Sequence, residues 1–412
     1  MEAKKELLFL VHRIPYPPNK GDKIRSFNML KHLGRNYRVH VGAFVDDPHD
    51  WQYKSALQSL CGELCLLALK PRQRRIASLK GLLTGQPLTL PYYESPAMQK
   101  WVDELLARRP IDAAVIFSSP MGRFLENHAR ADCRRIVDFV DVDSDKWIQY
   151  SRSKSWPWSW LYGREGRTLL AYERKLAAEF DASVFVSDEE CALFQRLAPE
   201  VKERCVGICN GVDTDYFSPE RDYPNPYNSA GPTLVFTGAM DYWANIDAVR
   251  WFAEKIFSVI RTRVPAAEFY IVGARPAANV RALAGKDGIT VTGAVHDIRP
   301  YLAHATGVVA PMRIARGIQN KVLEAMAMGL PVLASPEAAE GIKAKPGVDL
   351  LVEPALAGFQ NSAVALLLGD YQNMGRHARR CACTHYGWEQ NLRRLDALLS
   401  TSAPTPTKMA SI

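Results

Sequence analysis

Between Ala310 and Val332 the chain carries Arg313, Arg316, Gly317, Asn320, Lys321 and Glu324 in close succession, after a short apolar run that ends at Pro311. The pattern predicts a strand, then a polar loop, then a helix that starts near Ile318. A helix N-terminus presents unpaired N–H groups and the positive end of its dipole, so it favours an anion. Arg313, Arg316 and Lys321 bring formal positive charge to the same place. Glu324 follows Lys321 at helical spacing and so shares its face. A carboxylate there can accept hydrogen bonds from two adjacent hydroxyls, as on a ribose, while the cations hold a diphosphate. The same two side chains also fit a plain solvated pair worth about 0.3 kcal/mol.

Two other segments carry chemistry. Pro15 to Arg25 follows the first expected strand and contains Gly21, flanked by Lys20 and Lys23. A glycine there lets backbone N–H groups approach a phosphate or a sugar closely, although a Pro-rich turn before a helix needs no ligand. Asp138, Asp141, Asp143 and Asp145 stand together at the end of another expected strand. Several hard oxygens could hold a divalent cation. Alternatively, Ser144 or Asp145 caps a helix and the remainder face water.

These residues need a scaffold that places loops at the carboxyl ends of strands. A length of 412 residues fits two domains of roughly 200 residues each. Hydrophobic residues make up 47% and charged residues 23%, enough to bury two cores and too apolar for disorder. Short apolar runs alternate with longer helical patterns, which predicts parallel α/β sheets covered on both faces. One series of strands runs from Leu7 to Cys209 and a second from Leu234 to Val352. The expected division is a first domain over 1–217, a linker over 218–232 rich in Pro, Asn, Tyr and Ser, and a second domain over 233–387. A helix over 388–400, with Leu392, Leu395, Leu398 and Leu399 at helical spacing, would return to the first domain, and 401–412 reads as a disordered tail. Two doubly wound, Rossmann-like domains facing each other would bind ligands in the crevice at the strand ends.

With those elements in place, the stretch from Gly307 to Ser335 resembles the donor-binding signature of GT-B glycosyltransferases of family 4 (group 1). There a Glu-x7-Glu motif precedes a run like Glu324-Ala325-Met326-Ala327 followed by Gly329, Pro331 and Val332. Glu324 matches the second glutamate, which the resemblance assigns to the nucleotide ribose. Arg316 occupies the first glutamate position, which faces the transferred sugar, and the run from Arg316 to Lys321 is similar to sugar transferases associated with PEP-CTERM/exosortase exopolysaccharide systems. The segment from Ile208 to Pro219 resembles the turn that closes the first domain. Phe236 to Met240, with Gly238, resembles the first strand and loop of the donor domain, where many relatives carry a Lys-Gly; here Asn245, Ile246 and Asp247 stand instead. Gly273 and the stretch Thr292 to Ile298 resemble loops flanking the base. The resemblance implies donor contacts at Gly21, Gly238, Gly273, Arg313, Gly317, Asn320, Lys321 and Glu324. It implies catalytic roles for Asp141, Asp143 and Arg316, no cofactor and no metal, and a nucleotide-diphosphate sugar as co-substrate. The expected reaction is a hexosyl-type transfer, retaining at the anomeric carbon, to a glycan or polyprenyl-linked glycan in exopolysaccharide biosynthesis.

Charge and cysteine usage bear on location and partners. The formal net charge of +8 is diffuse, which fits phosphate-bearing partners or an anionic membrane surface and not a dedicated nucleic-acid binder. No acidic residue lies between Leu64 and Tyr93, and the stretch from Lys146 to Lys175 interleaves cations with Trp147, Trp156, Trp158 and Trp160. Such segments suit a membrane interface or a solvated face over a small buried cluster. No apolar run approaches the length of a transmembrane helix, no signal peptide is expected at Met1, and no Cys-x-x-Cys pair occurs, so reduced thiols and a cytoplasmic setting follow, peripheral at the inner membrane at most. Two rival functions remain open at this level: a sugar-nucleotide epimerase of the same architecture and a non-catalytic nucleotide-sugar binder.

Overall fold

The computed structural model describes residues 4–126, 128, 133–286, 288–315 and 317–400. The expected disordered tail, 401–412, lies outside the described residues, as does Arg316. The chain forms two compact units, one from the N-terminal part up to Cys209 together with residues from Leu392 on, the other from Asn210 to Asn391.

The first unit is built on β1 (Lys5–Val11), β2 (Tyr37–Val45), β3 (Leu64–Ala68), β4 (Ile111–Phe117), β5 (Arg134–Val140), β6 (Ala182–Phe185) and β7 (Cys205–Gly207). They form one parallel sheet in the order β3-β2-β1-β4-β5-β6-β7. Leu7 to Val11 are all buried, as a strand covered on both faces requires. The helices that matter below are α1 (Gly21–Asn36), α2 (Pro71–Ser78), α3 (Lys80–Thr84), α4 (Asp143–Arg152) and α5 (Trp158–Glu179).

The second unit carries β8 (Thr233–Thr237), β9 (Glu268–Val272), β10 (Ile289–Gly293), β11 (Gly307–Ala310), β12 (Val332–Ala334) and β13 (Leu351–Val352), parallel in the order β10-β9-β8-β11-β12-β13. Its relevant helices are α6 (Trp243–Trp251), α7 (Asn320–Ala327) and α8 (Met374–His385), and the chain ends its described part in α9 (Trp388–Ser400). In each sheet the first strand of the unit lies between two neighbours whose connections run to opposite sides. A doubly wound sheet opens a crevice at that point, here at the carboxyl ends of β1 and β4 and, separately, of β8 and β11.

The boundary differs from the sequence-based one. Residues 210–217 belong to the second unit: the Val212 N–H donates to Tyr386 O at 2.7 Å, and Arg379 Nη1 donates to Thr214 O and Phe217 O at 3.0 and 2.6 Å. The segment expected as a linker packs on the same unit. Tyr223 O accepts from His304 Nε2 at 2.7 Å, and the Tyr227 ring lies 4.6 Å from that of Tyr270. A Pro- and Asn-rich composition marked irregular backbone here, while aromatic contacts bind it down. Helix α9 returns to the first unit from Leu392, not from its first turn.

A buried ion pair fastens three elements of the first unit. Arg25 Nε on α1 donates to Asp138 Oδ2 on β5 at 2.8 Å, and Arg25 Nη1 donates to Ile208 O, just after β7, at 2.7 Å. Both side chains are inaccessible to solvent. Breaking such a pair leaves a desolvated charge, whereas replacing both groups with apolar ones can be neutral. Arg25→Ala should therefore destabilise the chain by about 3–5 kcal/mol, and Arg25→Met with Asp138→Leu should recover most of that loss in urea denaturation; an additive double variant would show that the two charges do not depend on each other.

Candidate active site

In the second unit, β11 ends at Ala310 and the loop that follows is held by Ser335, whose hydroxyl donates to Met312 O at 2.6 Å. Gly317 has φ +66°, a left-handed value that explains the glycine by backbone conformation alone. Helix α7 then starts at Asn320, with no side chain capping its N-terminus. At the neighbouring strand ends, Gly238 and Gly273 touch backbone to backbone: a Cβ on Gly273 would fall 1.7 Å from Gly238 O. Side chains are thereby kept out of the floor of this crevice.

Lys321 projects from the first turn of α7. Its Nζ donates to Asn245 Oδ1 at 2.5 Å and sits 4.3 Å from the centre of the Phe236 ring. The Asn245 amide is oriented in turn by its Nδ2, which donates to Ala239 O at 2.9 Å. Burial lowers the Lys321 pKa to about 7 against the attraction of Glu324. Burial likewise raises the Glu324 pKa to about 7 against the attraction of Lys321. Two further polar atoms are buried without a hydrogen-bond partner, Asn320 Oδ1 on α7 and Thr237 Oγ1 at the end of β8. Arg313 lies half-exposed in a two-pronged pair with Asp247, one prong being Nε to Oδ2 at 2.9 Å. Lys321, Glu324 and Asn320 thus share the mouth of one crevice with Gly238 and Gly273, while Arg313 stands at its edge, held by α6. Asn245 and Asp247, which replace the Lys-Gly of the resembling enzymes, are the partners of the two cations. Their position in the sequence marked them as a departure, but nothing in it indicated the contacts.

In the first unit, Asp141 and Asp143 stand where β5 passes into α4. Both accept from Lys146 Nζ, at 2.6 and 3.1 Å. Neither Ser144 nor Asp145 caps the helix: both lie inside α4, Val142 precedes it without a side-chain cap, and the Ser144 hydroxyl donates instead to the buried Glu173 at 2.5 Å. Burial pushes the Glu173 carboxyl up to about 8. Val140, at the end of β5, has φ +70°, and Ser118, at the end of β4, has φ +77°. A β-branched residue in that region is strained, and such strain concentrates at functional sites.

Gly21 begins α1 and its Cα faces open space, so no packing contact within the protein requires a glycine there. Lys23 is buried on Asp50 at 2.6 Å and is turned away from any ligand at that helix end. Residues not singled out from the sequence occupy this crevice instead. His12 Nε2 lies 3.3 Å from Asp22 Oδ2, its ring stacks on Phe117 at 5.8 Å, and its Nδ1 is buried without a partner. Arg13 pairs with Asp46 and Asp22. Burial would raise the Asp22 carboxyl, but His12 and Arg13 outweigh it and hold Asp22 well below the ordinary range. The signal available was a His-Arg pair directly after the first strand.

Residues 231–369 match the model of the family described as glycosyl transferases group 1. Similar solved structures include sucrose-phosphate synthase from Thermosynechococcus elongatus, at 16% identity and a TM-score of 0.67 over 96% of this chain and 98% of that one. Another is Anabaena HepE in complex with UDP, at 16% identity and 0.65 over 96% and 99%. A third is WaaG, a glycosyltransferase involved in lipopolysaccharide biosynthesis, at 16% identity and 0.63 over 96% and 100%. The fold is GT-B. At these identities the likeness is one of architecture, and no protein of curated function matches the chain by sequence.

In this GT-B chain the cost of desolvating Glu324 has a definite sign with pH. A carboxyl whose folded value is raised to about 7 stabilises the fold below its unfolded value and loses that contribution as pH rises through about 7. Glu324→Gln should raise the melting temperature at pH 8, by roughly 2–4 °C per kcal/mol recovered, and the gain should shrink toward pH 5. Thermal scans at both pH values test this; an equal gain at each would mean that the Glu324 charge is not the cause.

Proposed function

We propose that this chain is a glycosyltransferase that moves a sugar, as a hexosyl-type transfer, from a nucleotide-diphosphate donor to a glycan or polyprenyl-linked glycan acceptor in exopolysaccharide biosynthesis. The carrying observation is the Lys321–Glu324 pair, a half-buried cation and carboxylate one helical turn apart, in a crevice floored by Gly238 and Gly273. Support comes from the group 1 family match over residues 231–369 and from the similar fold of HepE, solved with UDP and with UDP-glucose. The polyprenyl-linked form of the acceptor would be met at an anionic membrane surface on the cytoplasmic side, with the thiols reduced.

The chemistry follows from charge placement. The bond between the anomeric carbon and the diphosphate oxygen breaks, and the diphosphate leaves with the electron pair. Lys321 and the positive N-terminal end of α7 meet the charge that develops, with Arg313 beside them. An ammonium lowered to about 7 is restored to full charge by an incoming diphosphate, so donor binding draws in a proton near neutral pH. Glu324 accepts the ribose hydroxyls. Arg316, in the position that faces the transferred sugar, takes a sugar or phosphate contact in place of a carboxylate. The acceptor hydroxyl attacks the same face that the diphosphate leaves, giving retention, and its proton passes to the departing diphosphate oxygen. Asp141 and Asp143 act on the acceptor side, with Lys146 paired to both. No cofactor or metal is needed for these steps.

Glu324→Ala should weaken nucleoside diphosphate binding by about 1.5–3 kcal/mol, as for hydrogen bonds to a charged group; calorimetry showing unchanged affinity in a folded variant would remove the ribose assignment. Lys321→Ala should lower turnover about 10²–10³-fold and affect donor binding less, since the contact strengthens in the transition state. Turnover within a few-fold of the parent would place the diphosphate elsewhere.

Asp247 competes with the donor for Arg313. Because that pair is half-exposed, its strength is modest, and Asp247→Asn should tighten nucleoside diphosphate binding by roughly two- to five-fold. Weaker binding in that variant would mean that Asp247 orients Arg313 for the ligand and does not compete with it.

A further inference from the structure

We infer that one face of the first unit docks onto an anionic phospholipid bilayer through exposed aliphatic and tryptophan side chains set among cations. The face extends the lipid-linked acceptor proposal but stands on residues outside the donor crevice.

Helices α2 and α3 and the turn after them leave Ile76, Leu79 and Leu83 in water, with Leu83 91% exposed and Ile76 72%. The end of α4 and the start of α5 do the same with Trp156, Trp158 and Trp160, the first 79% exposed. These two groups belong to one surface. Arg164 on α5 donates through Nη2 to Gly81 O at 2.7 Å and to Gln86 O at 3.2 Å, gripping the turn that bears Leu83 from both sides. Glu165 accepts the N–H groups of Leu88 and Thr89 at 2.6 and 3.0 Å, and the Thr89 hydroxyl at 2.7 Å. Trp160 lies one helical turn before Arg164 on the same side of α5. The tryptophans and the leucine turn are therefore presented by a braced structure.

The charge of this surface is one-sided, and the structure sharpens what the sequence shows. No acidic residue lies between Leu64 and Tyr93. Between Lys146 and Lys175 the acids are Glu165 and Glu173, and both are buried, occupied with backbone amides and with Ser144. Arg72, Arg75, Lys80, Arg152, Lys154 and Arg167 are exposed. Lys80 has a carboxylate beside it, Glu94 at 3.8 Å, but the exposed cations outnumber the acids here, and aliphatic and indole groups set among them match the acyl boundary and the anionic headgroups of a bilayer. A second copy of the chain is a poor occupant, because a two-fold contact would set cations against cations. A nucleic acid would leave Ile76 and Leu83 without a role. Among the described residues no helix is long and apolar enough to cross a membrane, so attachment would be interfacial.

The test is flotation of the full chain with vesicles of phosphatidylcholine alone or with added phosphatidylglycerol, at low and high salt. Quenching of tryptophan fluorescence by bromine-labelled acyl chains provides a second readout. The parent protein should float with anionic vesicles at low salt, detach at high salt, and be quenched by the bromine label. Leu83→Ser with Trp160→Ser should cut the partition coefficient by roughly tenfold or more, through lost apolar burial. Lys154→Glu with Arg167→Glu should abolish the preference for anionic vesicles. Circular dichroism of the variants reports folding, and UDP binding, which these substitutions in the first unit should leave intact, keeps the donor proposal separate. Failure to float, equal recovery on neutral and anionic vesicles, or binding unaffected by both variants overturns the docking face. So does a dimer, or a complex with nucleic acid, that disappears with the same substitutions while vesicles are ignored.

Discussion

The second unit depends on one awkward placement: an ammonium, Lys321, held in a half-buried crevice between the Phe236 ring and the Asn245 amide, with a carboxyl, Glu324, beside it. Neither charge is well solvated there, and each is kept tolerable chiefly by the other. In the function proposed above, a phosphate-bearing ligand would resolve the conflict by supplying negative charge to the lysine and hydroxyl groups to the glutamate. The surrounding features serve that placement. Gly238 and Gly273 bring two strand ends into backbone contact and leave room above them. Ser335 ties down the loop that leads into α7, and Ala239 fixes the amide that receives the lysine.

The first unit handles charge differently. Arg25 and Asp138 are paired in full burial and bind α1 to the sheet, a structural use that asks for no ligand. Asp141 and Asp143, nearer the surface, share Lys146, and behind them Glu173 is pushed toward neutrality by burial. Backbone strain at Ser118 and Val140 falls at the ends of two adjacent strands. Together with His12, Arg13 and Asp22 at the end of β1, these groups make the crevice of this unit polar, titratable and conformationally stressed. That character fits the acceptor-side role proposed for this unit.

The strands were legible because parallel strands buried on both faces are apolar without interruption, and Leu7 to Val11 or Gly307 to Ala310 cannot be read as anything solvated. The succession of strand, basic loop, glycine and helix at the proposed anion site was legible because it lies within a single local segment. The limits of the units were not legible. A run of Pro, Asn and Tyr over 218–232 carries no periodicity, and the contacts that fasten it, His304 on the Tyr223 carbonyl and the Tyr270 ring on Tyr227, come from residues far along the chain.

By itself, then, the sequence determined the sheet strands, the parallel architecture and the strand–loop–helix segment from Gly307 to Ala327, since each rests on neighbours in the chain. Only the tertiary structure decided what each charge faces. Lys321 meets Asn245, Arg313 meets Asp247, Lys146 gathers Asp141 and Asp143, and Lys23 is withdrawn onto Asp50. It also decided that Glu165 and Glu173, acidic in any count of composition, are buried and leave a surface of exposed tryptophans and cations. The physical reason is that Coulomb interaction and desolvation depend on distance and depth in space, and the spacing of residues along a chain specifies neither once the contacts cross between elements.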